Sequence, residues 1–173
     1  MTESAFPESV WGGRRDWARR RVMGLMSSRW GSALARRSVP IDRFVLHRSK
    51  GRFTALGPIG MPLLVLTTTG RRTGQLRQQP LTYARDADRL VVVGTNFGQD
   101  HHPAWTSNLL AKPQAEVTIG GQTVPVTATQ LHGAEQERFL REFAQIGANY
   151  AAYVGRAPRE IRVFALERIQ SVT

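Results

Sequence analysis

The run Met61-Pro62-Leu63-Leu64-Val65-Leu66-Thr67-Thr68-Thr69-Gly70-Arg71-Arg72-Thr73-Gly74-Gln75 is where the chain changes its grammar. Upstream of it the apolar spacing is helical. Val22, Met26, Trp30, Ala33 and Leu34 recur at three- and four-residue intervals between Asp16 and Arg37, which predicts a helix, or two short ones given Gly24 and Gly31. A further short helix is expected from Pro40 to His47, after Ser38 as a cap. Gly57-Pro58-Ile59-Gly60 then breaks the chain, and Met61–Thr69 is apolar and β-branched, as a buried strand should be.

Strand grammar continues beyond it. Gln78–Arg85 and Arg89–Gly94 flank the short polar connection Asp86-Ala87-Asp88 and predict a hairpin. Glu116–Ile119 and Gln122–Gln130 flank Gly120-Gly121, a second and stronger hairpin signal. Two helices are expected between these strands. Pro103–Lys112 opens at Pro103 and stops at Pro113, and Ala134–Ile146 places Phe139, Leu140, Phe143 and Ile146 on one face. A short helical piece around Asn149–Arg156 precedes a last strand, Ile161–Glu167. About six short strands with hairpin connections imply antiparallel pairing, which closes more readily into a barrel than an open sheet. The expected class is α+β. Residues 1–13 read as a loose tail, residues 1–38 as a basic helical arm, and residues 39–173 as a cofactor-binding barrel.

A chain of 173 residues suffices for one domain with a real core. It has no cysteine, which excludes disulfides, thiolate nucleophiles, cysteine-bound zinc and iron–sulfur clusters. No apolar run approaches the roughly 18–20 residues of a membrane span, and no secretion signal is apparent, so a cytoplasmic protein is expected. The net charge of +11 is uneven. Residues 1–60 carry twelve Lys/Arg against four acids, or +8, whereas residues 61–173 carry twelve against nine, or +3. Such an arm suits an anionic membrane surface, nucleic acid, an anionic ligand or plain solvation. No nucleic-acid motif accompanies it, and its arginines are not interleaved with aromatic residues as a stacking platform needs. Nucleic-acid binding is therefore not expected.

The candidate chemistry lies in three clusters. In Thr67–Gln75, with Arg77 beyond, two glycines allow a tight turn and are expected to expose N–H groups. Threonine hydroxyls and three guanidinium groups add the donors that a phosphate or carboxylate takes. The loop is neither a Walker A motif nor a dinucleotide fingerprint, and a polar turn with solvated arginines is its plain alternative. The second cluster, Gly94-Thr95-Asn96-Phe97-Gly98-Gln99-Asp100-His101-His102-Pro103-Ala104-Trp105 followed by Asn108, joins a strand end to a helix start, a natural ligand position. Its adjacent histidines diverge and have no second ligand pair at helical spacing, so no metal is expected. By composition alone Trp105 is as well explained by core packing. The third cluster is Tyr150 and Tyr153, on one side of a short helix, where they would line a pocket or simply pack. No catalytic triad, nucleophile elbow or spaced carboxylate pair is present, so an organic cofactor would have to supply the reactive atom.

These motifs resemble the deazaflavin-dependent nitroreductase and quinone reductase family. The resemblance rests on Leu63–Gln75 with Arg77 and Pro80-Leu81, on Val91–Asn96, and on His102–Trp105 with Asn108-Leu109 and Lys112-Pro113. It spans about residues 40–170 and implies a split β-barrel that binds coenzyme F420 and reduces quinones, nitroaromatics or activated alkenes. Carried over by position, it implies a cofactor site of Thr68, Thr69, Gly70, Arg71, Arg72, Thr73, Gly74, Gln75 and Arg77, which holds phosphate and anionic tail. Thr95 and Asn96 would lie by the ring system, and Trp105 and Asn108 would brace that wall. Tyr150 and Tyr153 would face the substrate and, with Thr95, supply the catalytic donors. The chain departs from the pattern at Leu76 (often proline), at Phe97 (glycine) and at Gly147 (an aromatic in relatives). The rival readings are a barrel binding flavin mononucleotide (FMN) or haem, or a basic binding module without catalysis. Beyond a small-molecule substrate, a peripheral contact between the arm and an anionic membrane is one expectation, against packing on the barrel. The oligomeric state is left open.

Overall fold

A computed structural model describes Phe6 and Pro7, residues 62–146, Ala152, Val154, Gly155, and residues 158–169. The helices expected over 16–37 and 40–47 lie outside the described residues, as do Gly147, Tyr150 and Tyr153. Ala152, Val154 and Gly155 are helical, as the reading of residues 149–156 expects.

The apolar run forms β1 (Leu63–Thr69), and the hairpin signals give β2 (Leu76–Asp86) with β3 (Arg89–Val93) and β4 (Gln114–Ile119) with β5 (Gln122–Leu131). Helix α1 (Ala104–Ala111) joins the two hairpins after a 3₁₀ turn at Asn96–Gly98. Helix α2 (Gly133–Ile146) and β6 (Val163–Arg168) complete the described chain. Every pairing is antiparallel, and the strands close in the order β1-β2-β3-β6-β5-β4, with β4 returning to β1. Closure pairs each described strand with a neighbour on both sides.

Alternation divides β2, β3, β5 and β6 between two cores. Leu64, Leu66, Leu90, Val92, Val117, Val126, Phe164 and Leu166 fill the barrel interior. Val91, Val93, Val163 and Ala165 turn the other way and meet Phe139 and Phe143 of α2. Both faces of β1 and of β3 are buried, which explains why the two read as continuous apolar runs. Burying each α2 phenyl ring contributes about 1.5–3 kcal/mol. The β4–β5 turn carries Gly120 at φ 57° and Gly121 at φ 83°, the left-handed pair of a two-residue hairpin loop. At the β2–β3 turn Asp86 accepts from Arg89 (Nε to Oδ2, 2.8 Å) and from Arg138 of α2 (3.1 Å), while Arg89 also pairs with Glu135. The hydrogen bond from Arg89 holds the Asp86 carboxyl below its usual value; burial opposes this, and Arg138 adds to it.

The loose-tail reading of residues 1–13 is corrected at Phe6. Its side chain is 2% exposed within the barrel-interior cluster, and the carbonyls of Phe6 and Pro7 accept from Arg85 on β2. A phenyl ring gains more by filling the barrel than by meeting water.

Candidate active site

Strands β1 and β3 are both antiparallel to β2, so their C-terminal ends open at the same mouth of the barrel. There, Gly70–Gln75 leaves β1 and Gly94–His102 leaves β3. Helix α1 stands between these loops and ties them together.

The first loop is a self-contained turn. Gly70 N–H donates to the Gln75 carbonyl (2.8 Å), and Thr73 and Gly74 N–H groups donate back to the Gly70 carbonyl (3.2 and 2.8 Å). Gly74 sits at φ 68°, which only glycine adopts without strain. A Cβ on Gly70 would come within 3.0 Å of both the Gln75 carbonyl oxygen and Thr73 Oγ1. Arg71 N–H donates to Asn108 Oδ1 (3.1 Å), and Asn108 Nδ2 donates to Thr68 Oγ1 (3.0 Å). Asn108 and Thr68 are buried, so one amide on α1 pins the end of β1 and the start of the loop. The expectation of several exposed N–H groups is corrected accordingly. Those of Gly70, Arg71, Thr73 and Gly74 are spent inside the fold, and anion binding is left to the side chains. Arg71, Arg72 and Arg77 are exposed, and none has an acidic partner among the described residues; Arg77 donates to Gln75 Oε1 (3.1 Å). Thr69 is half-buried, and Thr73 Oγ1 accepts weakly from Gln75 N–H (3.4 Å).

The second loop is held differently. Asn96, Phe97 and Gly98 take φ values of 47°, 56° and 75° in succession. For a phenylalanine this conformation costs roughly 1–2 kcal/mol. Asn96 Nδ2 donates to Gln99 Oε1 and to the His101 carbonyl, both at 3.0 Å, and so braces its own loop. Thr95 is 7% exposed, and its hydroxyl has no hydrogen-bond partner among the described residues. A buried hydroxyl left unpaired costs about 1–3 kcal/mol, so it is an atom that a ligand would satisfy. Gly94 is required by close approach: a Cβ there would lie 2.8 Å from Thr106 Cγ2 and 3.3 Å from the Arg162 carbonyl oxygen. Trp105 is buried against Phe164, with ring centroids 5.7 Å apart. The structure thus places Thr68, Trp105 and Asn108 behind the site rather than on its surface.

Two arginines just before β6 went unnoticed in the sequence. Arg159 donates to the carbonyls of Gly94 (3.2 Å), Thr95 (3.1 Å), Gln99 (3.1 Å) and Glu160 (3.2 Å) and to His102 Nδ1 (3.1 Å). Arg162 reaches Thr106 Oγ1 (3.4 Å) and Ser107 Oγ (3.3 Å). An arginine only donates, so His102 Nδ1 accepts and the ring proton sits on Nε2. Burial, then the charges of Arg162 and Arg159, hold His102 below the ordinary histidine value, with Glu160 opposing. Burial, then Arg162, also lowers the Arg159 pKa, with Asp100 opposing.

With this geometry in view the comparisons are specific. Residues 42–168 match the family model of F420H(2)-dependent quinone reductases. The chain belongs to this family. An F420H(2)-dependent quinone reductase of Mycobacterium tuberculosis (strain ATCC 25618 / H37Rv) is 35% identical over 149 residues, 82% of this chain and 97% of the relative. A solved F420-H2 dependent reductase (FDR-A) shares 32% identity at a TM-score of 0.56, covering 61% of this chain and 94% of that one. Another solved chain, described as a domain-swapped dimer, shares 30% identity at a TM-score of 0.57, covering 74% and 99%. Membership makes the chain an F420-dependent oxidoreductase built on a split β-barrel, and puts coenzyme F420 ahead of FMN as its cofactor. The residues at the mouth fit such a group: among the described residues, exposed cations without an acidic partner for its anionic part and a buried hydroxyl without a hydrogen-bond partner nearby for a polar ring edge.

Proposed function

We propose that the chain reduces a quinone or a related electrophile (nitroaromatic or activated alkene) with reduced F420 bound between the Gly70–Arg77 and Gly94–His102 loops. The observation that carries this reading is α1. Its Thr106 packs on Gly94 and its Asn108 holds Arg71, so one helix brings the cationic loop and the buried Thr95 hydroxyl to the same mouth. When bound, the coenzyme supplies the hydride. The guanidinium groups of Arg71, Arg72 and Arg77 hold its phosphate and anionic tail, and the Thr95 hydroxyl orients its ring system. Thr68, Trp105 and Asn108 keep those groups in place. Rate comes from alignment and from donors facing the negative charge that develops on the substrate. Tyr150 and Tyr153 are proposed as those donors on the family resemblance alone.

Fluorescence titration tests this reading. F420 should bind in the micromolar range or better, about −8 kcal/mol, whereas binding of FMN without F420 would overturn it. Tyr150→Phe keeps the ring and removes the hydroxyl, so turnover of a quinone should fall while F420 affinity holds. Contact of residues 1–38 with an anionic membrane is kept within the proposal, at about 1 kcal/mol per basic residue. No helix among the described residues is long and apolar enough to cross a membrane. Co-sedimentation with anionic vesicles that weakens with salt supports the contact, and its absence removes it.

A further inference from the structure

We propose that Arg159 is the positioning residue of the coenzyme site, a single guanidinium that imposes the left-handed course of the Asn96–Gly98 turn and so sets where Thr95 stands. The inference rests on the coenzyme site proposed above.

Asn96 and Phe97 run through the left-handed region, which residues carrying a Cβ rarely adopt. A strained backbone persists only where its surroundings over-determine it. The bonds that brace the turn from within include Gly98 N–H to the Thr95 carbonyl at 3.0 Å, Gln99 N–H to the Asn96 carbonyl at 3.1 Å, and the two from the Asn96 amide. Arg159 adds bonds from outside the turn. Its donors reach carbonyls on both sides of the turn, Gly94 and Thr95 before it and Gln99 after it, and then His102 at the entrance to α1. A planar fork with five N–H groups spans such a set, which the three donors of a lysine ammonium on a flexible stem do not match.

The clamp is itself anchored. Gln136 on α2 is buried and donates from Nε2 to Glu160 Oε1 (2.9 Å) and to the Ile161 carbonyl (2.8 Å). Gly94 N–H donates to the Arg162 carbonyl (2.9 Å). The segment before β6 is therefore tied to α2 and to the end of β3, and Arg159 carries that rigidity to the turn. In contrast to Arg71 and Arg72, its charge is spent within the protein. Its effect on the coenzyme is indirect, through the Thr95 carbonyl it holds and the hydroxyl on the same residue.

The test compares Arg159→Gln and Arg159→Lys with the intact protein by three measurements: F420 titration, steady-state kinetics with a quinone, and ¹⁵N NMR of the His102 ring. Arg159→Gln should weaken F420 binding at least tenfold and lower kcat, with the salt dependence of binding unchanged because Arg71, Arg72 and Arg77 are intact. Arg159→Lys should fall between. The His102 ring faces Arg159, Arg162 and Glu160, with Asp100 close by in the same loop. In the intact protein it should be the Nε2–H form; in Arg159→Gln it should become a mixture and titrate at higher pH. Wild-type F420 affinity and kcat in a folded Arg159→Gln protein overturn the proposal. So does a loss of melting temperature that leaves affinity and kcat unchanged below the transition, since the role is then structural only. If the intact protein binds no F420, the reading of the site falls. The clamp is then judged by the His102 spectrum alone, and an unchanged spectrum overturns it.

Discussion

The two loops at the barrel mouth use arginine in opposite ways. Around Gly70–Arg77 the backbone is held by its own turn bonds and by Asn108, and three exposed guanidinium groups have no acidic partner among the described residues. Around Gly94–His102 the backbone is strained, and Arg159 is consumed in holding it. The cations proposed to serve a ligand sit on a loop whose backbone is held by its own bonds and by Asn108, and the cation proposed to serve the fold sits beside the strained turn. Number of arginines is therefore a poor guide to anion binding; what matters is which guanidinium groups the protein has already occupied.

The contrast is broken most severely by removing the uncommitted charges. Each charge-assisted bond contributes about 1.5–3 kcal/mol, so Arg71→Ala with Arg72→Ala should weaken F420 binding by at least about 100-fold. Stability should change by no more than about 0.5 kcal/mol, as for other exposed positions. Full affinity in the double variant, read by fluorescence titration, would make the loop structural.

Asn108→Ala attacks the shared support instead. It strands the buried Thr68 hydroxyl and the Arg71 N–H, and should cost about 1–3 kcal/mol in denaturant unfolding while also weakening F420 binding. A loss of affinity without a loss of stability would mean that Asn108 touches the coenzyme directly.

The glycines sharpen the comparison. Gly94→Ala drives a methyl group into Thr106 and the Arg162 carbonyl, an overpacking worth about 1–3 kcal/mol. Gly74→Ala meets open space and pays only for its φ, about 1 kcal/mol after the gain from a stiffer unfolded chain. Equal losses in the two unfolding curves would contradict the assignment of one glycine to contact and the other to conformation.

The smallest effect is a pH dependence with two origins. His102 has a folded pKa below its unfolded value, so the folded state resists its protonation. The stability it permits is complete above about pH 6.5 and is lost as pH falls below that. Asp86 is also depressed, and its contribution is present above about pH 3.9 and lost as pH falls through the carboxylate range. Melting temperatures should therefore decline in two stages on acidification, and His102→Gln should remove only the upper one.

The barrel was legible because its signals are local. The apolar run at β1, the Gly120-Gly121 turn and the spacing of Phe139 and Phe143 each act within one element, and the observed strands begin or end within a few residues of expectation. The Gly70–Arg77 loop was legible because its residue types are concentrated in one stretch. The support of the site was not. Asn108 meets Thr68 across forty positions and Arg159 meets Thr95 across sixty-four. An arginine that will be half-buried carries no pattern distinguishing it from one in water. Phe97 could be marked as a departure from the family pattern, but its left-handed φ appears only once the turn is built.

Phe6 changes what can be learned by cutting the chain. Its ring lies in the barrel-interior cluster, the carbonyls of Phe6 and Pro7 are held by Arg85, and the Pro62 carbonyl accepts from Tyr83 N–H (3.3 Å). Whatever course residues 8–61 follow, both ends of that stretch are moored to the same strand. Deleting residues 1–38 to ask what the basic arm does would therefore also pull a phenyl ring out of the core, a loss of about 3–5 kcal/mol. A truncated protein that fails to bind vesicles, or fails to bind F420, would then report a damaged barrel as readily as a missing arm. Neutralising Arg14, Arg15, Arg19, Arg20 and Arg21 in the full-length chain separates the two, because it removes the charge and leaves the mooring intact.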